Sequence, residues 1–270
     1  MSNASSKPTK TASADTVVAE TQKERPGIPW RPLTAVLIVV LGFIAAQVLG
    51  GIIISLYPPL RHWNSAQAGD WIDNSISAQF VYVLISEIVL VGVIYWFVRW
   101  RKGSLQALGL RRPRWRDAGY ALAGALAYIV LYFAAIVVVE LLVRLNLSQQ
   151  QDIGFQNPVG APALVLTFIS LAVLPPLAEE FAFRGFLFTT LKQRYGLYIG
   201  ALGTSALFAV PHLLESSGGG LLWVAGLDTF VLSLVLCYLR NKTGRLWAGV
   251  AVHVMKNSIA FLSLFIIHTR

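Results

Sequence analysis

The stretch that decides the fold reads LVLTFISLAVLPPLAEEFAFRGFLFTTL and covers residues 164–191. Most of it is apolar, and it is longer than the roughly 20 residues that a helix needs to cross the hydrocarbon core of a bilayer. Its middle holds two prolines and three charged residues: Pro175, Pro176, Glu179, Glu180 and Arg184. Because charged side chains at membrane depth are costly, they mark candidate functional sites. The stretch therefore predicts chemistry inside a membrane, on either one helix kinked at the prolines or two segments.

The rest of the chain has the same apolar character. Of its 270 residues, 56% are hydrophobic and 13% are charged, about half the charged fraction of a soluble domain. The single cysteine, Cys237, excludes an intrachain disulfide and a multi-cysteine metal site. We predict an all-α, polytopic transmembrane helix bundle with seven membrane segments, or eight if one is partial or re-entrant. The seven runs are 33–57, 76–98, 118–143, 162–190, 197–214, 221–240 and 246–268.

The positive charge of the chain fits a membrane topology. A formal net charge of +9 would suggest nucleic acid binding in a soluble protein. With a cytoplasmic N-terminus and seven crossings, 17 of the 22 Lys and Arg residues lie inside and three outside, as the positive-inside rule expects. We therefore predict a multi-pass plasma membrane protein that contacts the lipid bilayer and no nucleic acid. Residues 1–30, poor in aromatic residues, are expected to form a flexible cytoplasmic tail.

The charged motif of the fourth run combines an ion pair with a single carboxylate. Glu180 and Arg184 are four residues apart, so on a helix they share a face and can pair. Glu179 lies about 100° round the helix from Glu180, where it is free to face a cavity and act as a general base. The structural alternative is that both glutamates share Arg184 as a packing contact.

Two further polar patterns lie on later runs. Phe208 and His212 are four residues apart, and Pro211 between them should leave a backbone carbonyl without its helical partner. His253 and Asn257 are also four apart and project from one face, where both could donate hydrogen bonds to a developing oxyanion. The histidine could instead hold a metal. Each pattern taken singly could also serve in hydrogen bonding between helices.

Together, the three patterns resemble the motifs of the CPBP family of membrane proteins. Glu-Glu-x-x-x-Arg at 179–184, Phe-x-x-x-His at 208–212 and His-x-x-x-Asn at 253–257 follow one another on successive apolar runs, within about the last 100 residues. The family comprises CAAX prenyl endopeptidases and bacteriocin-processing or immunity-associated proteins, also called the Abi family. The resemblance implies a transmembrane domain over residues 31–270 with a protease core at about 160–265.

The resemblance further implies an intramembrane endopeptidase that acts on a CAAX-type prenylated C-terminus or on a bacteriocin-like or other membrane peptide. Six residues would form its site: Glu179 and His212 to activate water, His253 and Asn257 to stabilise the oxyanion, and Glu180 and Arg184 in support. The family is also described as zinc metalloproteases, and zinc would then bind Glu179, His212 and His253. Since the chain has no HExxH motif, we favour a metal-independent glutamate mechanism with no certain cofactor.

Other polar groups at membrane depth leave two rival functions open. Asp228 and Lys256 are expected to form a structural pair between the last two runs, with substrate contact as the less favoured role. Glu87 is expected either to line the cavity or to hydrogen-bond another helix. One rival is a non-catalytic immunity or scaffold protein of the same fold. The other is an ion-coupled transporter whose path would include Glu87, Asp228, Glu179 and Lys256.

Helix lengths raise one difficulty for a common site. At 1.5 Å per residue, His212 falls about 22 Å from the inner end of its run and His253 about 10 Å from the inner end of its own. Convergence then requires tilted helices, a kink at Pro211 or different run boundaries.

Overall fold

The structure is a computed structural model that describes residues 28–143, 151, 153–156, 158–214 and 220–267. Its regular elements are helices, and the described residues form no β-strand, which confirms the predicted all-α bundle. Residues 1–27 of the predicted tail lie outside the described residues. In chain order the elements are α1 (Pro32–Ser55), α2 (Tyr57–Leu60), α3 (Ser65–Asn74), α4 (Ile76–Trp100), α5 (Trp115–Val143), α6 (Ala161–Phe168), π1 (Ile169–Val173), α7 (Leu174–Glu179), π2 (Glu180–Leu187), α8 (Phe188–Leu214), α9 (Trp223–Thr243), α10 (Trp247–Leu262) and π3 (Ser263–Ile267).

Six helical stretches of the described residues are long and apolar enough to cross a membrane, and one of them, Ala161–Leu214, has 54 residues. This stretch turns back on itself at Gly196, whose φ of 84° and ψ of 176° are not helical. A Cβ on Gly200 would lie 2.8 Å from the backbone N of Lys192, whereas eight residues of straight helix span about 12 Å. Residues 161–195, the first arm, and 197–214, the second arm, are therefore separate segments. Counted in this way, the described residues contain the seven predicted segments.

The first arm continues through its two prolines. Pro175 and Pro176 lie in the first turn of α7, where a missing N–H is tolerated. The wider π1 turn precedes them and π2 follows α7 directly; such π turns inside helices often occur at functional sites. The sequence predicted either one helix kinked at the prolines or two segments, and the structure shows one continuous helical arm.

Two packed clusters hold the bundle together. The first joins α1, α4 and the first arm through buried side chains such as Leu90 and Phe186. The second joins α5, α9 and α10 through side chains such as Leu236 and Val252. Because α10 also packs against π1, and the second arm against α9, the charged motif of the first arm is enclosed where the two clusters meet.

Trp30, at the edge of the predicted tail, belongs to the folded domain. Its ring centroid lies 5.5 Å from that of Phe97 and 5.1 Å from that of Phe186, and its indole N–H donates to the hydroxyl of Thr190 at 2.8 Å. A buried Trp with a satisfied N–H is a strong packing anchor. Residues 28–30, at the end of the predicted tail, are therefore part of the bundle.

Helix α10 begins beneath a buried loop. Leu246, just before α10, is buried, and its N–H donates to the carbonyl of Gly109 at 3.3 Å. Leu108 of the same loop is also fully buried. The start of α10 thus lies inside the bundle. His253, only six residues after Trp247, where α10 begins, therefore contacts the ring of Phe208 on the second arm.

Candidate active site

The buried centre of the site is an ion pair within π2. The Nη1 atom of Arg184 lies 2.9 Å from Oε1 of Glu180, and both side chains are almost fully enclosed. The predicted pairing of these two residues is therefore confirmed. The guanidinium of Arg184 also lies over the ring of Phe208, 4.3 Å from the ring centroid, a cation–π contact that adds to the compensation of its charge.

His253 lies between the two adjacent glutamates. Its Nδ1 atom is 3.3 Å from Oε1 of Glu180, and its Nε2 atom is 3.6 Å from Oε2 of Glu179. The imidazole is 4% exposed, whereas the side chain of Glu179 is 20% exposed. The buried glutamate thus contacts one ring nitrogen, and the accessible glutamate faces the other, as expected for a residue that can reach a cavity.

Gly249 allows α10 to approach this ion pair. A Cβ at this position would lie 2.8 Å from Oε2 of Glu180, a distance shorter than side chains in proteins tolerate between a Cβ and another heavy atom. Gly249 is one turn before His253 on α10, so the same close approach brings the imidazole to Glu180. The sequence patterns did not single out Gly249, because its role depends on the packing of two distant segments.

Asn257 is held by the first arm. Its Nδ2 atom donates to the carbonyl of Leu171 at 2.9 Å. That carbonyl would accept from residue 175 in an α-helix and from residue 176 in a π-helix, and both are prolines without an N–H. The two prolines therefore leave free the carbonyl that orients the Asn257 amide. Within the described residues, the second amide hydrogen has no partner and can bind another group.

His212 joins the site through an aromatic neighbour. Its Nδ1 atom lies 3.0 Å from the carbonyl of Phe208, and the two rings pack with centroids 5.2 Å apart. The ring of Phe208 in turn meets that of His253 at 5.8 Å. Within the described residues, His212 has no ion pair with either glutamate. The structure therefore brings Glu179, Glu180, Arg184 and His253 into direct contact, with His212 one helical turn beyond Phe208.

The side chains do not fit the alternative zinc set. Among the residues that the structure describes, no three His, Cys, Asp or Glu side chains are grouped so that they could hold a metal ion. A tetrahedral site with three protein ligands requires all three donors within about 2.0–2.2 Å of one point, and Glu179, His212 and His253 are not arranged in this way.

Two other polar groups predicted at membrane depth lie apart from these residues. Lys256 Nζ is 2.9 Å from Oδ2 of Asp228, which confirms the predicted pair, and the hydroxyl of Tyr128 donates to Oδ1 of Asp228. Glu87, on α4, is half-buried, makes no hydrogen bond or ion pair within the described residues, and interacts electrostatically with Glu179.

Comparison with known proteins gives a family match for this part of the chain. Residues 161–259 match the family model described as Type II CAAX prenyl endopeptidase Rce1-like. The matched segment contains all six predicted site residues, and the family resemblance predicted from the three motifs is confirmed for it. No solved structure matches the chain.

Two curated relatives match different shares of the chain. An uncharacterized 24.3 kDa protein of Escherichia coli is 33% identical over 103 residues, which are 37% of this chain and 45% of that protein. The UPF0177 protein YxdF of Lactococcus lactis is 23% identical over 170 residues, which are 63% of this chain and 87% of that protein. The match with the E. coli protein thus spans less than half of that protein.

Proposed function

We propose that this chain, whose residues 161–259 carry the Rce1-like domain, is an intramembrane endopeptidase of the plasma membrane with its N-terminus in the cytoplasm. It hydrolyses a peptide bond of a membrane-associated substrate, either a CAAX-type prenylated C-terminus or a bacteriocin-like or other membrane peptide. The observation that carries the proposal is the enclosure of His253 between Glu179 and Glu180, at 3.6 and 3.3 Å. Ionisable groups inside a membrane are costly, so a cluster of them marks a candidate functional site.

Glu179 is the proposed general base. Its side chain is the accessible one of the two adjacent carboxylates, so water can reach it. The carboxylate accepts a proton from a water molecule as the water oxygen adds to the carbonyl carbon of the substrate. His212, one turn beyond Phe208, is proposed to hydrogen-bond this water on the side opposite the Glu179 carboxylate.

His253 and Asn257 are the proposed donors to the oxyanion that forms. The 3.6 Å between His253 Nε2 and Oε2 of Glu179 is longer than a good hydrogen bond. In the imidazolium form, in which both ring nitrogens carry a hydrogen, the N–H at Nε2 is therefore available to another oxygen. The second amide hydrogen of Asn257 is available as well, since the first donates to Leu171. When the C–N bond breaks, the proton taken up by Glu179 passes to the leaving amine.

Glu180 and Arg184 are proposed to position His253. Glu180 accepts from Nδ1 of the imidazole, which fixes the ring orientation, and Arg184 balances the charge of Glu180. Preorganised donors of this kind stabilise developing charge most strongly where water is excluded.

The deciding experiment compares Glu179→Gln with the protein as purified. We expect the change, which keeps the shape of the side chain but removes its basicity, to lower the cleavage rate by about 10²- to 10⁴-fold. Cleavage of CAAX-type and bacteriocin-like peptides in liposomes is followed by mass spectrometry. Asp73→Asn, the same chemical change on α3, is the matched control and should cleave at the original rate.

Two results would contradict the proposal. Full activity of folded Glu179→Gln would exclude Glu179 as the base. Absence of cleavage by the folded protein, together with substrate or ion flux in the same liposomes, would favour the transporter; absence of both would favour the scaffold protein.

A further inference from the structure

A second charged cluster lies outside the proposed catalytic contacts. It consists of Lys256 on α10, Asp228 on α9 and Tyr128 on α5, which we call the Lys256 cluster. Lys256 pairs with one oxygen of Asp228 at 2.9 Å, and Tyr128 donates to the other oxygen. Both oxygens of Asp228 are therefore occupied, and three helices of the second packed cluster meet at one carboxylate.

The Lys256 cluster is open on one side. The side chains of Lys256 and Asp228 are 25% and 16% exposed, whereas that of Arg184 is fully buried. Lys256 and Arg184 are the two basic residues in the interior of the predicted membrane runs. Lys256 is therefore the cation at membrane depth that a ligand can reach.

Lys256 also has unused donors. An ammonium group carries three N–H donors, and within the described residues Asp228 is the partner of the Lys256 ammonium group. Two of the three donors are therefore not used by the described residues. Their strongest partner would be a charged acceptor, since hydrogen bonds between an ammonium and a carboxylate are about twice as strong as neutral ones.

The position of Lys256 on α10 relates it to the reacting bond. It follows His253 by three residues, which is about 4.5 Å along the helix and about 60° round it. An extended peptide advances about 3.3 Å per residue. A group held by the long Lys256 side chain would thus lie within a few residues of a peptide bond placed at His253.

We propose that Lys256 binds the free C-terminal carboxylate of the peptide substrate, an inference that rests on the proposed endopeptidase function. Asp228 keeps the empty site neutral, and Tyr128 holds Asp228 in place. The bond cleaved is accordingly one close to the C-terminus of the substrate. The alternative is a structural tie between α9 and α10, and the two roles differ in what the partner residues should do.

A structural tie predicts that losing either partner has the same effect, because both changes break the same pair. A carboxylate site predicts opposite effects. Lys256→Met removes the attraction for the substrate carboxylate, whereas Asp228→Asn removes a negative charge that competes with it. The two substitutions should therefore change the KM for a substrate with a C-terminal carboxylate and leave the KM for an uncharged C-terminus unaffected.

The experiment uses two internally quenched peptides that end in a prenylated CAAX sequence and differ only in a C-terminal carboxylate or amide. We expect the protein to have a KM at least about tenfold lower for the acid than for the amide, the difference made by one charge-assisted hydrogen bond. Lys256→Met should abolish this preference and Asp228→Asn should increase it. Lys256→Arg should keep it.

The controls separate this inference from the proposed function. If Lys256→Met folds poorly because Asp228 loses its cation, the combined variant Lys256→Met with Asp228→Asn removes both charges together and should also lack the preference. Equal KM values for acid and amide, or parallel losses in both single variants, overturn the carboxylate site while peptide cleavage stands. Failure of the folded protein to cleave these two peptides and the bacteriocin-like peptides alike overturns both proposals.

Discussion

The Glu180–Arg184–His253 centre and the Lys256 cluster are both charged and both at membrane depth, but the helices enclose them differently. The side chains of the first are at most 4% exposed, whereas Lys256 and Asp228 keep 25% and 16% of their surface. The first is built on one arm and joined by one histidine from α10. The second connects three helices at a point that remains accessible.

The difference in enclosure indicates a difference in role. A charge taken fully out of water costs several kcal/mol unless partners within the protein compensate it, so the enclosed centre has to be complete in itself. A partly exposed cation keeps unused donors, and a ligand can contact its exposed surface. Loss of a member should therefore affect stability in the enclosed centre and substrate recognition in the Lys256 cluster.

The largest effect on stability is expected from Arg184→Met. The change leaves the carboxylate of Glu180 buried without its cation and removes the contact with the Phe208 ring, so we expect a loss of about 3–5 kcal/mol in the free energy of unfolding. Titration with SDS in mixed micelles measures this free energy. Lys256→Met is the matched control and should lose clearly less, because its partner Asp228 is less buried than Glu180 and keeps the hydrogen bond from Tyr128. Equal losses would remove the distinction between the two clusters.

An intermediate effect is expected from Gly249→Ala. The new Cβ would lie 2.8 Å from Oε2 of Glu180, so α10 must move away from π2, at a cost of about 1–3 kcal/mol for overpacking. The same movement should separate His253 from Glu180 and lower the cleavage rate.

Gly92→Ala is the control for this change. Gly92 lies within α4, and a Cβ there meets no atom within 4 Å, so stability and cleavage should stay close to their original values. Unchanged stability in Gly249→Ala would mean that the close approach of α10 is not required for the site.

Local patterns in the sequence predicted the parts of the site that lie within one helix. The spacing of Glu180 and Arg184 was sufficient for their ion pair, because residues four apart share a face whatever surrounds them. The apolar runs were sufficient for the bundle and for the separation of the two arms, since each is long enough to cross a bilayer.

Contacts between distant segments could not be read in the same way. The approach of His253 to Glu180 depends on Gly249, and the orientation of Asn257 depends on a carbonyl that two prolines leave free. The sequence indicated that Pro211 leaves a backbone carbonyl free. Pro175 leaves the Leu171 carbonyl free for the same reason, but only the structure identifies Asn257 as the donor that this carbonyl accepts from. Trp30 was assigned to the tail because its anchoring residues, Phe97 and Phe186, are far away in the chain.

The smallest effect is expected from Tyr128→Phe, which removes the hydrogen bond to Asp228 and little else. Hydrogen bonds between membrane helices contribute about 0.6 kcal/mol on average, so the free energy of unfolding should fall by roughly that amount in the same titration. Tyr238→Phe, at an exposed position on α9, is the control and should cause no loss. A loss in Tyr128→Phe as large as that in Arg184→Met would mean that the Lys256 cluster is as dependent on its internal partners as the enclosed centre. A small loss would instead agree with a cluster whose charges remain partly exposed and available to a substrate.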